Sequence, residues 1–282
     1  MSGKRKSLNA RIRNLAKGKN VSPQELLKAW AFQRFLLRLA KSVHKDRFVL
    51  KGGFLVAAWI GVERRTTIDI DVMVRNMSLD DATVLSAIRD ICSINIGDDV
   101  SFEISRIEYI RDDNIYGGFR VFVSVCYDGI KVHFSIDIST DEVITPEPHK
   151  SSIRCPLDES NFAVVWTYPI ETVLAEKVET ILSRGIANTR ARDFYDIFIL
   201  TTTQCYDMAL FKRALRATVK HRESTAVIGE MAECIVAIES SRKLKMEWEK
   251  YRKRSSFSAN ITYEQVMTSL KKLCELEDIG NV

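Results

Sequence analysis

The 282-residue chain predicts an α+β fold in which a head built on a mixed sheet is followed by a helical C-terminal domain. Three features carry that expectation. Residues 67–74 alternate strictly, with Ile68, Ile70, Val72 and Val74 on one face and Asp69 and Asp71 on the other, the period of a half-buried strand. Asp128-Gly129 joins two further extended runs, a strong hairpin signal. Beyond the prolines of Thr145-Pro146-Glu147-Pro148 the apolar spacing reads as helical to the end of the chain. Strands first and helices afterwards divide the sequence into an N-terminal helical segment (1–45), an α+β domain (46–150) and a helical domain (151–282).

Taken in order, Ser22-Pro23-Gln24-Glu25 is a capping box with proline at the first helical position, so a helix starts there and runs to about Val43. Leu27, Ala31, Phe35 and Leu39, flanked by Phe32 and Leu36, give it a wide apolar side. Phe48-Val49-Leu50 is a short buried strand, Gly52-Gly53 a turn, and 54–60 a helix that Gly61 ends. After the strand at 67–74, Ser78 with Asp81 caps a helix to about Ile94. Strands follow at 101–110, 119–127 and 130–139. In the last, Val132, Phe134, Ile136 and Ile138 alternate with His133, Ser135 and Asp137, which sets a third carboxylate on a polar strand face. Helices are expected at 169–184, 189–201, 209–222, 226–251 and from the cap Thr262 to about Glu275.

With 46% apolar and 28% charged residues the chain has the composition of a folded globular protein. There is no apolar run of about 18 residues, and the first 20 residues are basic and polar without an apolar leader, so a cytoplasmic protein without a membrane span is expected. Six scattered cysteines with no Cys-x-x-Cys pair point to reduced core thiols rather than a zinc site. His44, His133, His149 and His221 have no triad setting and there is no nucleophile elbow, which excludes serine-hydrolase and cysteine-nucleophile chemistry. Net charge is +5. Basic residues gather at Lys4, Arg5, Lys6, Arg11, Arg13, Lys17 and Lys19, and again in 242–254 beside Trp248 and Tyr251; each run is either a solvated helix face or a polyanion contact.

Phosphoryl and nucleotidyl transfer asks a protein chiefly to position groups and neutralise charge, with metal ions held by carboxylates. Asp69 and Asp71 point the same way, roughly 7 Å apart along their strand, and so can flank metal. Aspartate is disfavoured in strands and like charges on one face repel, which argues against a merely decorative pair. Upstream, Lys51-Gly52-Gly53 leads from a strand into a helix, where side-chain-free backbone N–H groups can approach a triphosphate; a simple turn is the alternative. Asp137 serves as base, shares a metal, or faces water at a strand end. Lys177 falls on the apolar stripe of Val173 and Ile181, so it either snorkels out or holds an anion. Asp193 and Asp196, one helical turn apart, suit function or capping, and Arg190 and Arg192 either clamp phosphate or pair with neighbouring acids.

Four segments together resemble the AbiEii-type nucleotidyltransferase toxins of the DNA-polymerase-β-like superfamily: Phe48-Val49-Leu50-Lys51-Gly52-Gly53, Arg65-Thr66-Thr67-Ile68-Asp69-Ile70-Asp71, Leu174-Ala175-Glu176-Lys177 through Ser183-Arg184-Gly185, and Arg190 through Leu200. The resemblance implies a polymerase-β-like head with Asp69 and Asp71 as its metal pair, Lys177 on the nucleotide phosphates, and Asp193, with Asp196 as a further candidate, as the functional aspartate of the last motif. Gly52-Gly53 departs from the Gly-Ser of the wider superfamily, and Asp137 stands for its third strand carboxylate. It further implies Mg²⁺, or Mn²⁺ in its place, and an NTP bound between head and helical domain. The NMP would pass to an RNA acceptor, the tRNA 3′ end in some relatives, to block translation, and a separately encoded antitoxin would be the partner. Two rivals remain: AMP transfer to a protein hydroxyl, and a non-catalytic nucleotide- or RNA-binding module.

Overall fold

The computed structural model describes residues 3–67, 69–111, 117–140 and 143–275, so Ile68 of the alternating strand lies outside the described residues. The chain divides into two compact units, Met1–Glu142 with Pro148–Thr167, and Val143–Glu147 with Tyr168–Val282.

The first unit contains α1 (Gly3–Lys19), α2 (Pro23–Leu39), β1 (Phe48–Lys51), α3 (Gly52–Ile60), β2 (Asp69–Val74), α4 (Asp81–Ser93), β3 (Ser101–Arg111), β4 (Gly117–Tyr127), β5 (Ile130–Ser139), β6 (His149–Cys155) and β7 (Asp158–Thr167). The seven strands form one mixed sheet in the order β3-β4-β5-β2-β1-β7-β6. β2 with β5 and β1 with β7 are parallel, and the other neighbours are antiparallel.

The capping box of α2 is present: Ser22 Oγ accepts the Gln24 N–H at 3.2 Å and Glu25 accepts the Ser22 N–H at 3.2 Å. The helix buries Leu26, Ala31, Phe32, Phe35, Leu36 and Leu39. It stops at Leu39, short of the expected Val43, because Ser42 Oγ donates to the Leu39 carbonyl and accepts the His44 N–H, which turns the backbone out of the helix. The fully buried Arg38 donates twice to Asp98, at 3.0 and 2.7 Å, and once to the Val100 carbonyl, so its charge is satisfied inside the unit.

Residues 151–167, expected in the helical domain, instead lie in β6 and β7 and the turn between them, and the first unit reaches Thr167. Ala163, Val165 and Thr167 point into the core, but the outward residues between them include the exposed Phe162 and Val164, so hydrophobicity does not alternate although burial does. The N-terminal helices belong to the same unit rather than to a segment of their own.

The second unit is helical: α5 (Ile170–Arg184), α6 (Ala191–Thr203), α7 (Met208–His221), α8 (Ala226–Gly229), α9 (Met231–Ser240), α10 (Arg242–Arg254) and α11 (Tyr263–Cys274), with 3₁₀ turns at Gly185–Ala187 and Ser256–Ser258. The single helix expected over 226–251 is broken twice. Gly229 ends α8, and Ser241 leaves helical geometry to cap α10 by accepting the Leu244 N–H at 3.3 Å. Thr262 and Gln265 form the capping box of α11. Among the described residues no helix is long and apolar enough to cross a membrane.

Candidate active site

Strand register in the first unit places four charged residues in one row across four neighbouring strands. Lys51 of β1 stands opposite Asp71 of β2, Asp71 opposite Asp137 of β5, and Asp137 opposite Arg120 of β4. Register partners share a sheet face and neighbouring strands lie about 4.8 Å apart, so the row reads cation, anion, anion, cation. Asp69 stands on the same face one pleat before Asp71, opposite Ser135.

Gly52 and Gly53 are the first turn of α3 rather than a turn before it. Gly52 has φ +67°, and a Cβ there would lie 2.0 Å from Asp71 Oδ2, so backbone conformation and space both demand glycine. The Gly53 N–H donates to the same Oδ2 at 3.3 Å. The positive end of α3 therefore meets Asp71 directly, where the sequence alone suggested an approach to phosphate. Thr67 Oγ1 donates to the Asp69 carboxylate at 3.4 Å, and the buried Arg65 packs against Gly53 and bonds the Thr66 carbonyl.

Burial, reinforced by the adjacent Asp69, pushes the Asp71 carboxyl up to about 6; Lys51 opposes the shift, Asp137 adds to it, and the Gly53 N–H resists it. Negative charge thus accumulates faster than Lys51 and one backbone donor can balance it. Hard carboxylate oxygens carrying such an excess suit Mg²⁺ or Mn²⁺, and Asp69 and Asp71 are the residues that would hold it. Asp137 takes the adjacent-strand place required of a third carboxylate, but both its oxygens are engaged: Arg120 donates from Nε at 2.7 Å and from Nη2 at 2.6 Å. That fork gives Asp137 a cationic partner that the sequence reading did not include. Among the described residues no group of three or more His, Cys, Asp or Glu side chains is placed to hold a metal ion.

Arg120 was missed in the sequence, although a signal existed. The two-residue Asp128-Gly129 turn fixes the β4–β5 register, and counting seven residues back from Tyr127 and seven on from Ile130 brings Arg120 opposite Asp137.

Inside the second unit Lys177 of α5 meets both aspartates of α6, with Nζ at 2.7 Å from Asp193 Oδ1 and 2.8 Å from Asp196 Oδ2. Asp196 is completely buried, and Lys177 and Asp193 nearly so. The lysine therefore does not snorkel. The anions it holds in this unit are the two carboxylates, which a turn's spacing aligns on one helix face. Arg190 is the N-cap residue of α6, its backbone N–H accepted by Asn188 Oδ1 at 2.7 Å, and the Arg190 and Arg192 side chains are exposed.

The model of a family described as nucleotidyl transferase AbiEii toxin, type IV TA system, matches residues 34–268. Among solved structures, one assigned as a nucleotidyltransferase from H. pylori shares 15% identity over 90% of this chain and 94% of that chain, with a TM-score of 0.51. JHP933 from Helicobacter pylori shares 15% identity over 88% of this chain and 90% of that chain, with a TM-score of 0.50. At that identity the likeness is one of fold. No curated protein matches the chain.

Proposed function

The chain belongs to the AbiEii nucleotidyltransferase toxin family, and we propose that it moves a nucleoside monophosphate from an NTP to an RNA hydroxyl, at the 3′ end of tRNA, with release of pyrophosphate and arrest of translation. The observation that supports this reading best is the Asp69/Asp71 pair, whose uncompensated charge sits over the glycine start of α3. Mg²⁺ held there would offset charge on the transferring phosphoryl group and its leaving pyrophosphate.

This chain's own groups would do the rest. The Gly53 N–H fixes the rotamer of Asp71, and Gly52 leaves the space in which that carboxylate lies. Lys51, on the strand that ends at the glycines, offers a cation to the triphosphate. Lys177 and Asp193 take the nucleotide-contacting roles that the family resemblance assigns, Asp196 orients Lys177, and the exposed Arg190 and Arg192 add phosphate contacts. The basic faces of α1 and α10 supply distributed contacts to an RNA backbone. The chain's partner would be the separately encoded antitoxin of such a type IV pair.

The test incubates purified protein with Mg²⁺, total bacterial RNA and each α-labelled NTP in turn, beside Asp71→Ala. Label in a tRNA-sized band that is absent from the variant is the expected result and names the nucleotide. Label in protein replaces this reading with AMP transfer to a protein hydroxyl; NTP binding without any label leaves a non-catalytic binding module.

A further inference from the structure

The row Lys51, Asp71, Asp137, Arg120 has a permanent cation where a two-metal site would keep its second ion. We infer that Arg120 substitutes for that ion: it locks Asp137 and leaves a single divalent site on Asp69 and Asp71. The inference rests on the reading of those two aspartates as the metal pair.

Three observations carry it. Arg120 forks onto Asp137 through Nε and Nη2 at 2.7 and 2.6 Å, the bidentate arrangement that binds carboxylate most strongly, and the Asp137 side chain is only 16% exposed. A second dication on Asp137 would have to settle within a few ångströms of the guanidinium, where repulsion is large. The second observation is charge. Without substrate, Asp69, Asp71 and Asp137 carry three negative charges against Lys51 and Arg120, a balance of −1; one divalent ion takes it to +1 and two take it to +3. The third is placement: no set of three ligating side chains is gathered for a metal among the described residues, although three carboxylates share the face. The Arg120 side chain keeps 37% of its surface open, and its other terminal nitrogen, Nη1, is available to a phosphate oxygen as a second metal would be.

Mn²⁺ alone, titrated into the full-length protein and counted by the EPR signal of the free ion, tests this. Wild type should bind one ion at this site, lost in Asp69→Ala/Asp71→Ala. Arg120→Gln should bind two, the second lost again in Arg120→Gln/Asp137→Asn. Arg120→Lys, which keeps a cation, should stay at one, and Asp137→Asn in the wild-type background should leave the count unchanged. In transfer assays Arg120→Gln should lose about a hundredfold in kcat, with part restored by Lys. Two ions in wild type, one of them lost in Asp137→Asn, would overturn the inference while leaving the metal pair standing. One ion in a folded Arg120→Gln would also overturn it. No ion in wild type would remove the metal pair and the inference together.

Discussion

The sheet unit and the helical unit each gather acids around a lysine, yet they treat the charge in opposite ways. In the sheet, Asp69 and Asp71 share one strand face with Asp137 beside Asp71 on the next strand, burial and like charge act together on Asp71, and its carboxyl rises to about 6. In the helices, Lys177 reaches between Asp193 and Asp196 and bonds both within 2.8 Å, with Asp196 sealed from solvent. The first arrangement is a demand for a cation from outside. The second brings its own, and holds α5 to α6 while doing so. Spacing two acids on a strand or on a helix turn is therefore not enough to define a metal site; what decides is whether the fold delivers the counter-charge.

Asp71→Asn separates the two most sharply. It should lower transfer by about a thousandfold or more, as loss of an electrostatic catalytic group does, and yet stabilise the metal-free protein. Because the folded carboxyl titrates near 6 rather than 3.8, holding it ionised costs free energy at neutral pH. Well below pH 3.8 the group is protonated whether folded or not, and the penalty is absent; it grows above 3.8 and is complete as pH rises through 6. Melts in EDTA should thus show the variant above wild type at pH 7.5, by about 1 to 3 kcal/mol, and level with it at about pH 3. Equal melting at both pH values would break the comparison from the sheet side.

Asp196→Ala tests the helical side. Removing a fully buried partner of Lys177 should destabilise the protein by about 3 to 5 kcal/mol in urea unfolding. A change under about 1 kcal/mol would mean the cluster does not hold the unit together. Gly52→Ala comes next: a methyl group 2.0 Å from Asp71 Oδ2 on a backbone at φ +67° should cost about 2 kcal/mol in the same assay and abolish transfer by displacing the carboxylate. The smallest effect is expected of Arg192→Ala, whose side chain is exposed; Tm should hold while KM for NTP rises a few-fold.

The chemistry was most legible where residue type contradicts local preference. Two aspartates on an alternating strand stood out because strands disfavour them, and Lys177 because it interrupts an apolar stripe. Their partners were not legible. That Lys177 meets Asp193 and Asp196 depends on how α5 packs on α6, which periodicity within either helix does not contain. That Asp137 meets Arg120 needed the hairpin register, present in the sequence but unread. β6 and β7 escaped because Phe162, Val164 and Trp166 share a strand with buried residues and blur its period, and because two prolines had marked the end of the sheet. The single helix drawn over 226–251 failed on a glycine and a capping serine, both weak signals inside an apolar pattern.

The parallel pairing of β1 with β7 joins Val49 to Trp166, and it sets a timetable for synthesis on the ribosome. All four residues of the charged row have been synthesised once Asp137 is made, and β1 can pair with β2 as they emerge. Its other edge stays exposed until β7 follows, so the nascent chain carries an uncovered apolar strand, Phe48-Val49-Leu50, through that interval. Such non-local closure is slow and invites misassociation. A chain truncated before Asp158 should accumulate as aggregate rather than as a smaller active enzyme, which makes completion of the sheet a precondition for activity.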